Sequence, residues 1–82
     1  MKSVDVARAV VESKQAHVFK QNADGSYQAR PYPWKTKGGV LLDLFSASAL
    51  VTVFDNLNPE NQEKLLKLPL VKAVMISFKL IK

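Results

Sequence analysis

The chain has no cysteine among its 82 residues. Disulfide staples and thiolate metal sites are therefore excluded, and the composition suits a reducing cytoplasm. There is one histidine, His17, so zinc sets built on two histidines are out of reach. The seven acids follow no calcium-loop spacing. Gly38-Gly39 follows Lys37 but lacks the G-x-x-x-x-G-K-[ST] spacing of a phosphate loop. No hydrophobic run approaches the roughly 20 residues of a membrane span. The longest weakly polar stretch is LFSASALVTVF, residues 44 to 54. The N-terminal MKSVDVARAVVESK mixes both charge signs into its apolar residues, unlike a secretory signal.

Catalytic groups are equally scarce. General acid–base chemistry needs partners within hydrogen-bond reach. His17 has Gln15 and Lys20 nearby and no orienting carboxylate, while Asp24 is better used by the turn it opens. Ser46 and Ser48 sit in no nucleophile elbow and suit helix capping. The expectation is a soluble, cytoplasmic, non-enzymatic protein without metal or cofactor.

What the chain does have is apolar material: 48% of its residues are hydrophobic, enough to argue against disorder. At this length one domain is expected, burying roughly 60–65% of its unfolded surface. Ser3 and Asp5 open a helix over 3–14, with Val6, Ala7, Val10 and Val11 as its apolar stripe and Arg8, Glu12 and Lys14 solvated. Asp24-Gly25 joins two β-prone segments, which predicts a hairpin over 17–35 with strands 17–21 and 27–35. Pro31 and Pro33 cannot donate to a ladder, so the second strand is an edge or leaves the sheet there.

VLLDLF, residues 40 to 45, fits either a short strand or the start of a helix, with Asp43 and Ser46 as rival caps. Ala47, Leu50, Val51, Phe54 and Leu57 predict a helix over 47–56. Asn58, Pro59 and Glu60 open another, over 59–68, supported by Glu60–Lys64 and Glu63–Lys67 pairs. Residues 71–81 suit a helix through Val71, Val74, Met75 and Phe78, or a strand; their β-branched content favours a central strand. The expected class is α+β: a small antiparallel sheet, made of the hairpin and the C-terminal strand, packed against three short helices.

Charge is unevenly spread. The net charge is +5, no acid lies between Asp24 and Asp43, and none follows Glu63. Lysines 64, 67, 72, 79 and 82 fill that last region. Such zones suggest an acidic protein or nucleic acid as partner, although lysine also serves plain solubility. The densest zone is RPYPWKTKGG, residues 30 to 39. If extended, it puts Arg30, Tyr32, Trp34 and Thr36 on one face and Lys35 and Lys37 on the other. Such a strand can stack single-stranded bases, or its aromatics can cover the core margin of a small domain. Trp, Tyr and Arg are also the residues most enriched in interface hot spots. A helix-turn-helix reading of the two helices around Asn58 is disfavoured, because Glu60 and Glu63 would meet the phosphates.

The stretch SASALVTVFDNLNPENQEKL, residues 46 to 65, resembles short accessory proteins encoded by bacteriophages, some of which bind and redirect a host protein. The resemblance rests on helix and cap residues and implies a small accessory binder; it assigns no functional residue. The contact residues expected from the sequence are Arg30, Tyr32, Trp34, Lys35 and Lys37, steering an acidic protein partner. Nucleic acid is the alternative partner, and a homodimer could form by pairing the terminal strand across a two-fold axis.

Overall fold

The computed structural model describes residues 1–80. In chain order these form α1 (Ser3–Ser13), β1 (His17–Gln21), β2 (Tyr27–Pro31), β3 (Val40–Leu42), α2 (Leu44–Asn56), α3 (Pro59–Leu66) and α4 (Leu70–Leu80). The class is α+β, as expected, with an antiparallel sheet in the order β2-β1-β3.

The hairpin turn forms as its sequence requires. Gly25 takes φ +91°, and the Asp24 carboxylate accepts from the Ser26 hydroxyl at 2.6 Å and the Ser26 N–H at 3.0 Å. Those bonds, the hydroxyl's first, hold the Asp24 carboxyl below the usual carboxylate range. Pairing runs from Gln21↔Tyr27 to His17↔Pro31. Side chains alternate across a strand. His17, Phe19, Tyr27, Ala29 and Leu42 therefore face the helices, and Val18, Lys20, Gln28, Arg30 and Leu41 face outward.

The second strand stops at Pro31, short of the expected 35. It is an edge whose outward donors are largely removed: the Tyr27 N–H goes to the Met1 carbonyl at 2.8 Å, and Pro31 has none. This is the standard protection of a sheet edge. The third strand is Val40–Leu42, so VLLDLF supplies both a strand and a helix start. Asp43 separates them, its carboxylate capping α2 by accepting the Ser46 N–H at 2.7 Å.

The terminal segment corrects the sequence reading. Residues 71–80 are helix, not a central strand, and the last residue of the expected strand, Ile81, lies outside the described residues, as does Lys82. Leu70, Ala73 and Ser77 form the buried side, at i, i+3 and i+7. Strand preference of β-branched residues is weak and yields to such packing. The start of α4 is fixed from a distance: the Leu70 N–H donates to the Tyr27 hydroxyl at 2.9 Å, within the interior. Ser77 satisfies its own hydroxyl on the Ala73 carbonyl at 2.8 Å.

The other helices need smaller corrections. Lys2, not Ser3, is the N-cap of α1; Ser3 is buried, and the Asp5 carboxylate accepts the Lys2 N–H at 3.0 Å. Asn58 caps α3 as expected, accepting the Asn61 N–H at 2.9 Å. Arg8 is only half-solvated: it pairs with Asp55 at 2.5 Å and lies over the Phe54 ring, joining α1 to α2. One core unites these elements through Val6, Val10, Phe19, Tyr27, Leu50 and Leu70.

Candidate interaction surfaces

The residues expected to make contact do not form an extended strand. Beyond Pro31 the chain folds back as a flap over the outer face of the sheet. Arg30 and Lys20 both project from that face, with their charged groups 5.2 and 6.0 Å from the Trp34 ring centroid. The indole therefore lies over the sheet rather than in the helix-facing core, and is half-buried. Gly39 closes the flap against Val18: a β-carbon there would sit 2.8 Å from Val18 Cγ1 and 2.9 Å from Thr36 Cγ2. Val18 is buried although it points away from the helices.

Thus Arg30 and Trp34 come together, Tyr32 stands apart and 56% exposed, and Lys35 and Lys37 are exposed on the flap. Trp34 and Tyr32 therefore have opposite environments, the one half-buried and the other exposed. Trp34 is a cover for the outer face, holding two cations by attraction worth about 0.5–1 kcal/mol each at exposed sites. The result is a basic face ordered on an aromatic platform.

A second surface was not anticipated. Residues Val71, Met75 and Phe78, at i, i+4 and i+7 on α4, are all exposed. Phe45, near the start of α2, is 75% exposed, and its ring lies 5.5 Å from that of Phe78. Ser48, Ala49 and Thr52, together with this pair of rings, line a cleft of about 280 Å³. Small residues on α2 and large ones on its flanks make this cleft concave. Val40, at the β3 edge, and Val71 border another recess, near the start of α4, that Lys20 and Gln21 also line. Scattered exposed apolar residues are ordinary, whereas paired rings beside an apolar cleft single this face out as the candidate interaction surface. The sequence signal for it was present but mis-phased. The helical stripe read from residues 71–78 is largely the exposed stripe, whereas the buried one carries Ala73 and Ser77.

The groups with catalytic potential are engaged structurally. His17 is buried on the helix-facing side of the sheet, its Nδ1 2.9 Å from the Gln15 carbonyl oxygen. A larger recess of about 470 Å³ lies between the N-terminus and the hairpin turn, lined by Lys2, Asp5, Ser26 and Tyr27 among others. Asp5 there already receives the Lys2 N–H. Among the described residues no helix is long and apolar enough to cross a membrane. Comparison with protein-family models, curated proteins and solved structures gives no match to this chain.

Proposed function

We propose that the chain is a non-enzymatic protein-binding domain whose contact surface is the apolar face shared by α2 and α4. The observation that carries this reading is the Phe45–Phe78 pair, two large aromatics left at the surface around an apolar cleft. Burying one such side chain contributes about 1.5–3 kcal/mol, so the pair can anchor a complex without adding to the stability of the free domain. The basic face around Trp34 supports the association by steering an acidic partner. The accessory-protein resemblance of residues 46 to 65 runs in the same direction.

The test is capture of partners by the purified domain, comparing wild type with Phe45→Ser and with Lys35→Ala/Lys37→Ala, each with and without nuclease. A protein retained by wild type, insensitive to nuclease and lost in Phe45→Ser supports the proposal. Retention unchanged in Phe45→Ser refutes it. A second reading, nucleic-acid binding, is favoured by the cations Lys20, Arg30, Lys35 and Lys37 around Trp34 and by the lack of any acid in residues 25–42. It requires a mobility shift that weakens steeply with salt and fails in Lys35→Ala/Lys37→Ala.

A further inference from the structure

The α2–α4 cleft is more particular than a generic sticky patch. We infer that its occupant is an acidic amphipathic helix of a partner protein, laid along α4 with its apolar residues in the cleft. This rests on the protein-binding reading above and names the partner's chemistry.

Shape argues first. A cleft of about 280 Å³ falls below the roughly 300–1,000 Å³ usual for small-molecule pockets. It has room for apolar side chains rather than for a substrate. Among the described residues its polar lining groups are the Ser48 and Thr52 side chains. Phe78 lines the cleft, and Met75 and Val71 continue its exposed stripe back along two turns of α4, about 10 Å at 1.5 Å per residue. A helix offering anchors at i, i+3 or i+4, and i+7 matches that length, which is the helix-in-groove mode of recognition.

Charge then selects among occupants. From Leu44 to Phe54, α2 carries no charged residue. On α4 the charged residues are Lys72 and Lys79, both exposed, and no acid follows Glu63 anywhere in the chain. The rim that α4 supplies is therefore cationic. A second copy docked by a two-fold axis would bring these lysines toward their own counterparts. An anionic lipid surface would satisfy the lysines but meets a concave cleft, whereas interfacial helices present a convex apolar face. Acidic residues flanking the anchors of a partner helix satisfy both the shape and the charge.

The experiment uses a fluorescein-labelled synthetic helix with leucines at i, i+3, i+4 and i+7 and glutamates elsewhere. A second peptide has every glutamate replaced by lysine. Anisotropy titrations use wild type and Phe45→Ser, a change at so exposed a position that folding is preserved. The expected result is saturable binding of the glutamate peptide, weaker by about tenfold or more for the lysine peptide and for Phe45→Ser. Equal binding of the two peptides, or no loss in Phe45→Ser, overturns the inference. Light scattering and flotation with phosphatidylglycerol vesicles separate the other outcomes. A dimer abolished by Phe45→Ser, with no peptide binding, overturns the acidic helix but leaves a protein-binding face. Vesicle binding abolished by Phe45→Ser, with neither peptide binding nor dimer, overturns both.

Discussion

Tyr27→Phe removes one oxygen atom and tests how the hairpin and the last helix are joined. The Tyr27 hydroxyl accepts the Leu70 N–H at 2.9 Å in the interior, where Tyr27 is 8% and Leu70 1% exposed. Phenylalanine keeps the ring, and with it the edge-on contact to Phe19 at 6.0 Å between centroids, so no large cavity opens. What is lost is the acceptor of an N–H at a helix start, a position with no intrahelical partner. An interior donor left unpaired costs about 1–3 kcal/mol. For a domain of this size each kcal/mol lowers Tm by about 4–8 °C, so a fall of about 4–24 °C is expected. Urea unfolding followed by far-UV circular dichroism should show a lower midpoint at an unchanged slope. Tyr32→Phe is the control, because that residue is 56% exposed and its change should stay within about 0.5 kcal/mol. If the two variants are equally stable, the buried bond does not hold α4 in place and the reasoning fails.

Two further perturbations address the α2 cap and the flap. The Asp43 carboxyl is held below its ordinary range, chiefly by the Ser46 N–H, so its contribution is present above the unfolded carboxylate pKa of about 3.9 and disappears as pH falls through the lower folded value. Asp43→Ala should cost about 0.5–2 kcal/mol at neutral pH, and Asp43→Asn should flatten the acid limb of a stability–pH curve; an unaltered limb contradicts the assignment. Gly39→Ala drives a β-carbon into Val18 and Thr36, so the flap must lift, at a cost of about 1–3 kcal/mol. Trp34 is the one tryptophan, and its emission should shift to the red; an unshifted spectrum means the flap does not depend on that contact.

The elements that announced themselves in the sequence are those with local causes. Asp24-Gly25 makes its turn by φ and side-chain bonding within three residues, and Asn58-Pro59 opens α3 with its own cap. Residues 70–80 failed because their cause is remote. The Tyr27 hydroxyl that starts α4 lies 43 positions away, and the small residues Ala73 and Ser77 reveal a buried side only once α2 is packed on them. The exposed apolar stripe of α4 was missed with it. A segment read as a central strand has no exposed face to offer, so Val71, Met75 and Phe78 were assigned to the interior. The basic stretch was legible as a charge cluster, but its fold-back over Val18 depends on Gly39 lying against the sheet, which no local pattern encodes.

On the proposed function, a partner sits on the α2–α4 face. Met75 stands one turn from Phe78 on the exposed stripe of α4, 57% exposed, and Met1, 51% exposed, lines the recess beside the hairpin turn. Peroxide oxidation of the two methionines, followed by mass spectrometry with and without the captured partner, reads the face directly. Similar oxidation of both in the free protein is expected, with selective protection of Met75 in the complex. Met75 oxidising at its free rate in a saturated complex would contradict the proposed function.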